Sequence, residues 1–92
     1  MELETKAKYF YVYVLQSEKD QKLYTGYSSN LRQRLEEHKN GKVNSTRNRL
    51  PVRLIYWEGC FSQLDATKRE KYLKTAWGKR YIKNRLENYL TG

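Results

Sequence analysis

Residues 9–38 read YFYVYVLQSEKDQKLYTGYSSNLRQRLEEH, and this run decides the fold. Tyr9 to Leu15 is dominated by aromatic and β-branched residues, which predicts a strand. Side chains alternate across a strand, so Tyr9, Tyr11, Tyr13 and Leu15 share one face and Phe10, Val12 and Val14 the other. Both faces are apolar, which places this strand in the middle of a small sheet covered on each side. Ser17 to Gln21 is a polar turn, and Leu23 to Tyr27 returns as the second strand of a hairpin. Gly26 marks a bend or a close approach by another group. Ser28, Ser29 and Asn30 offer N-cap oxygens for a helix running to about Lys39, where Asn40-Gly41 stops it.

Working outward, residues 1–8 are polar and read as a frayed lead-in, with Leu3 as its one docking side chain. Gly41 to Leu50 is a polar loop carrying Lys42, Arg47 and Arg49, and Pro51 precedes a third strand ending near Glu58. A second helix begins near Ser62, whose hydroxyl caps it, with Asp65 favouring the helix dipole. It runs to about Trp77, and Gly78 ends it. Residues 79–90 carry Ile82, Leu86 and Tyr89 at helical spacing, a third helix. The order β-β-α-β-α-α defines an α/β (α+β) layered domain, a mostly antiparallel three-stranded sheet flanked by three helices. No repeat or linker divides residues 1–92, so one domain with a modest core is expected.

The formal charge of +9 is unevenly spread. Residues 1–30 hold four Lys and four acids, which cancel, so the fifteen Lys or Arg and six acids of residues 31–92 supply the whole excess. Cations spaced along a phosphate backbone release condensed counterions, so the excess suggests a polyanionic partner; the alternative is a solvated basic surface. Lys42, Arg47, Arg49, Lys79, Arg80, Lys83 and Arg85 read as phosphate contacts, with Thr46 or Asn44 adding hydrogen bonds. Cys60 is the only cysteine, which excludes an intrachain disulfide and a site built from several thiolates. No apolar run approaches the ~20 residues of a membrane span and no signal-peptide core is present, so a cytoplasmic protein without membrane contact is expected.

Polar residues stand where apolar ones belong. Leu31 and Leu35 define the stripe of the first helix, and Arg34 and His38, also four apart, flank it. Each must be paired or line a cleft; the alternatives are a snorkelling Arg34 and a satisfied edge-of-core His38. Ala66, Leu73 and Trp77 form the stripe of the second helix, and Glu70 fills the place between them. That carboxylate either pairs with a buried cation such as Arg34 or coordinates a hard divalent metal, whose shell would need water and phosphate oxygens besides. Tyr13 and Tyr24 are packing residues or reactive phenols. A phenol, with a pKa of about 10, acts as a base only beside positive charge.

The triplets Tyr11-Val12-Tyr13 and Tyr24-Thr25-Gly26, followed by Asn30-Leu31, Arg34-Leu35 and His38, resemble the GIY-YIG nuclease superfamily. The similarity is to small single-domain members related to the N-terminal domain of the excision-repair nuclease. Ala66 to Lys74 resembles the segment bearing that family's metal-binding glutamate, so the motif core spans about 9–77. The resemblance implies a three-stranded antiparallel sheet and a metal-dependent endonuclease acting on DNA, in repair or processing. It implies Tyr13 as general base or water-orienting phenol, Tyr24 as its assistant, and Arg34 as the phosphate ligand. His38 would accept or relay a proton, and Glu70 would hold one Mg²⁺ or Mn²⁺. Tyr11 replaces the first motif's glycine, Val12 its isoleucine, and Thr25 the second motif's isoleucine. A DNA-binding module without turnover, or a domain active only with a protein partner, are the competing readings. Without a recognition domain, structure-selective or weakly selective cutting is expected.

Overall fold

In the computed structural model, which describes residues 8–92, β1 (Phe10–Ser17) lies between β2 (Leu23–Ser28) and β3 (Val52–Cys60). Residues 1–7 of the polar lead-in, Leu3 among them, lie outside the described residues. Both pairings are antiparallel, with Tyr13 opposite Gly26 on β2 and Trp57 on β3. The central position follows from the doubly apolar run, since Val12, Tyr13, Val14 and Leu15 are all buried. One irregularity in the β1–β3 register falls between Val14 and Leu15.

The two faces of β1 are covered differently. Val12 and Val14 pack with Ala66 and Leu73 of α2 (Gln63–Leu73) and Ile82 of α3 (Ala76–Arg85). Burying an aliphatic side chain of this size contributes about 1.5–3 kcal/mol, so this face supplies much of the stability. The opposite face carries Tyr13 and receives α1 (Leu31–Lys39). Asn30 caps α1 by accepting from the Gln33 N–H at 3.1 Å, and Ser62 caps α2 by accepting from Asp65 N–H at 3.2 Å.

Four details depart from expectation. α2 ends at Leu73, because the Lys74 and Thr75 N–H groups turn back to the Lys71 and Tyr72 carbonyls in a tighter, three-residue pattern. Thr75 then caps a new helix by accepting from Gly78 N–H at 3.1 Å. Gly78 therefore sits inside α3 and ends nothing; a Cβ there would run into the Tyr72 carbonyl and the Leu73 backbone, so it is a close-approach glycine. The break turns Trp77 outward, 68% exposed, so it does not continue the Ala66–Leu73 stripe. A short fourth helix, α4 (Glu87–Thr91), follows α3. No described helix is long and apolar enough to cross a membrane.

Candidate active site

Tyr13 is the pivot of the α1 face. Its ring passes over Gly26, its register partner, where a Cβ would collide with the phenol. Gly26 is thus the close approach that its place in the strand predicted. The Tyr13 hydroxyl lies 2.8 Å from His38 Nε2, and His38 Nδ1 lies 2.7 Å from Thr46 Oγ1. All three residues are sealed, with exposures of 0%, 1% and 0% in that order. The stripe of α1 contributes this histidine as its buried residue, while Leu31 and Leu35 are only half-buried. Thr46 is held in place by its loop: Val43 is buried, and its carbonyl accepts from the N–H groups of Thr46 (3.2 Å) and Arg47 (2.9 Å).

Donor strength orients the line. A phenol is a stronger donor than an imidazole N–H, and imidazole nitrogen is a stronger acceptor than phenol oxygen. This chemistry assigns the Tyr13 O–H as donor to Nε2 and the Nδ1–H as donor to Thr46 Oγ1. Electrostatics agree. Burial pushes the Tyr13 phenol above its ordinary value, Arg34 opposes that, and Tyr24 and Glu70 add to it. Burial likewise pushes His38 down, with the Arg34 charge reinforcing and Glu37 opposing. At neutral pH the pair is a phenol donating to a neutral imidazole. The edge-on rings of Tyr13 and Tyr24 frame His38 at centroid distances of 5.7 and 5.4 Å.

Arg34 and Glu70 border this line. Arg34 Nη1 donates to Glu37 Oε1 at 2.9 Å, and both side chains are about one-third exposed. Glu70 pairs with Lys74, Oε2 to Nζ at 3.1 Å, so an Arg34–Glu70 bridge does not account for either residue. Burial is the main cause of the raised Tyr13 phenol, and the Glu70 charge adds the smallest contribution to it. No described cluster of three or more His, Cys, Asp or Glu could cage a metal. One hard carboxylate fits a cation such as Mg²⁺, which keeps several waters and takes the rest of its shell from phosphate oxygens.

The expected phosphate contacts divide. Lys42, Arg47, Lys79, Arg80 and Lys83 are exposed. Arg49 is half-buried and lies 3.8 Å from Asp20, and the Arg80 guanidinium lies over the Trp77 ring at 5.1 Å. Thr46 differs from these: it is fully buried, with its hydroxyl against His38 Nδ1. Its place behind the histidine escaped the sequence, because two residues eight apart across a loop follow no helical or strand period. Glu37, as the partner of Arg34, was legible from its i, i+3 spacing.

A phenol backed by imidazole, with a guanidinium and a lone carboxylate nearby on a three-stranded sheet, is the equipment of a nuclease-type domain. Comparison with known proteins agrees: a family model described as the GIY-YIG catalytic domain matches residues 9–88. The chain belongs to that family. It is 45% identical over 65 residues to UPF0213 protein CPE1444 of Clostridium perfringens, which covers 70% of this chain and 69% of the relative. It is 42% identical over 89 residues to a UPF0213 protein of Bacillus licheniformis, covering 96% of this chain and 84% of the relative. No solved structure matches the chain.

Proposed function

We propose that this protein is a metal-dependent endonuclease that hydrolyses phosphodiester bonds in DNA, with repair or processing as its setting. The observation that carries the proposal is the sealed line from Tyr13 through His38 to Thr46. Binding alone needs only the exposed cations, whereas this line adds a hydrogen-bonded path for a proton from the phenol into the interior. In this reading a non-bridging phosphate oxygen lies against the Arg34 guanidinium, of which Glu37 engages only Nη1. Tyr24, half-exposed, orients the attacking water. Tyr13 accepts a proton from that water while its own proton passes to His38 Nε2. The new P–O bond forms as the bond to the leaving oxygen breaks, and solvent protonates that oxygen. Thr46 keeps Nδ1–H engaged and so stabilises the imidazolium. Because Tyr13 is sealed in the free protein, substrate binding has to open its hydroxyl to water.

Glu70 would hold one Mg²⁺ or Mn²⁺, with water and phosphate oxygens completing the shell, and the ion supplies Lewis-acid charge at the leaving oxygen. The exposed cations of the 41–50 loop and α3 position the duplex without reading its bases. The test is a panel of duplex, flap, bubble and single-stranded DNA in Mg²⁺ and in Mn²⁺, run beside Glu70→Ala. Wild-type protein is expected to nick at least one substrate, while Glu70→Ala still shifts DNA and does not cut. Cutting by Glu70→Ala at the wild-type rate removes the mechanism. Salt-sensitive binding with no cutting on any substrate leaves a binding module.

A further inference from the structure

Beside the line of buried polar groups runs a row of rings that the cleavage reading leaves unused. Trp57 and Tyr11 meet edge-on at 5.8 Å, Tyr11 lies 6.2 Å from Tyr9, and Tyr9 stacks on Phe61 at 4.9 Å. Trp57 is 54% exposed and Phe61 69%. Water-facing rings in such a row are costly unless something covers them. Gly59 lies among these rings: a Cβ there would come into ordinary contact with Tyr9, Tyr11 and Trp57 at 3.4 to 3.6 Å.

The rings of Tyr9, Tyr11 and Trp57 form one wall of a groove of about 720 Å³, and the start of α1 forms the other. That volume falls within the roughly 300–1,000 Å³ of small-ligand sites. Lys8 and Arg32 also line it, against one acid, Glu36. Ser29 and Asn30 belong both to this groove and to the adjoining hollow that holds Arg34. The two hollows therefore adjoin at the start of α1, the rings lining one and Arg34 the other. On β1, Tyr11 precedes Tyr13 on the same face, and it occupies the position where the motif has glycine.

We infer that this groove is a stacking subsite that takes an unpaired nucleobase of the substrate strand, whose phosphate lies at Arg34. Every base has a π-face, so rings bind it without reading sequence, and cations at the rim meet the adjoining phosphates. A base stacked inside a duplex has both faces covered, so the subsite selects DNA with unpaired residues next to the scissile bond. The inference rests on the nuclease reading for its substrate, and binding tests it apart from cleavage.

The experiment uses the full chain carrying Glu70→Gln, without divalent metal. Three DNAs are compared: a duplex with a four-nucleotide unpaired overhang, the same duplex with abasic residues in the overhang, and a blunt duplex. Stacking by one base is expected to make the first bind about tenfold tighter than the other two. Trp57→Ala and Tyr11→Ala are each expected to erase that preference while blunt-duplex affinity holds. Thermal unfolding of Trp57→Ala, an exposed site, checks that the fold is intact. Equal affinity for the three DNAs overturns the inference, as does a preference that survives both substitutions. Concentration-dependent dimerisation abolished by Trp57→Ala also overturns it, by making a second copy the occupant. The base preference with no cleavage by wild-type protein would sink the nuclease reading and leave the subsite standing, and cleavage without the preference would do the reverse.

Discussion

The two faces of β1 are built from one run of sequence and do opposite things. On one, Val12 and Val14 meet Ala66, Leu73 and Ile82, a contact made by aliphatic side chains. On the other, Tyr13 meets His38 and Thr46, as deeply buried but joined by two short hydrogen bonds. The apolar face gains stability from removing surface from water. The polar face gains little net from bonds that water would also supply, yet each of its groups is expensive to leave unpaired. Stability and chemistry are thus divided across a single strand, and substitutions on the two sides should fail in different ways.

Tyr13→Phe should produce the largest effect. Removing the phenol takes away the proton acceptor, so cleavage is expected to fall by about 10²–10⁴. The ring is kept, so the fold should survive, at a cost of about 1–3 kcal/mol for leaving His38 Nε2 without its donor. Single-turnover rates at saturating protein measure this, and a fall of less than tenfold would deny Tyr13 the role. Leu73→Ala is the counterpart on the apolar face. A buried leucine lost there should cost about 2–5 kcal/mol by denaturant unfolding. Cleavage measured well below the lowered melting temperature should stay close to wild type, and a catalytic defect there would blur the division.

Thr46→Val sharpens the comparison within the polar face. The isostere leaves Nδ1–H buried without an acceptor, at an expected cost of about 1–3 kcal/mol. His38 is the only histidine in the chain, so its imidazole ¹⁵N shifts report the tautomer without assignment. The wild type and Thr46→Ser should show Nδ1–H, and Thr46→Val a mixture. An Nε2–H wild type would reverse the donor directions argued above.

The smallest effect is the pH dependence of stability. Folding depresses the pKa of His38, so below about 6.5 the unfolded chain takes a proton that the folded one resists. The unfolded state then binds more protons, and stability falls as pH drops from there toward the depressed folded value. Melting temperatures between pH 7.5 and about 5.5 should slope downward in the wild type and less steeply in His38→Gln. Equal slopes would mean that the imidazole is not held neutral by its surroundings.

Much of this molecule was readable from residues. The doubly apolar run fixed β1 as the central strand, Ser28, Ser29 and Asn30 offered the cap of α1 and Ser62 that of α2, and Gly26 signalled a bend or a close approach before its partner was known. Where local signals misled, the reason was tertiary. Trp77 fits the stripe of a longer α2, but the chain breaks at Thr75 and turns the ring outward. Gly78 looked like a stop and is instead the contact that lets α3 cross the end of α2. Arg34, His38 and Glu70 stood out as polar groups on apolar stripes, whereas Thr46 looked like one more polar residue in a basic loop.

Periodicity and residue chemistry by themselves determined the hairpin, the capped first helix, the basic excess after residue 30 and the residue types available for phosphate chemistry. These are local or compositional properties, set by side-chain alternation and charge. Only the tertiary structure decided that Thr46 stands behind His38, that Glu70 pairs with Lys74, and that Tyr11 and Trp57 line one groove with α1. Such pairings join positions distant in sequence, and they arise from the packing of strands, helices and a loop around one sheet, where spacing along the chain carries no record of distance.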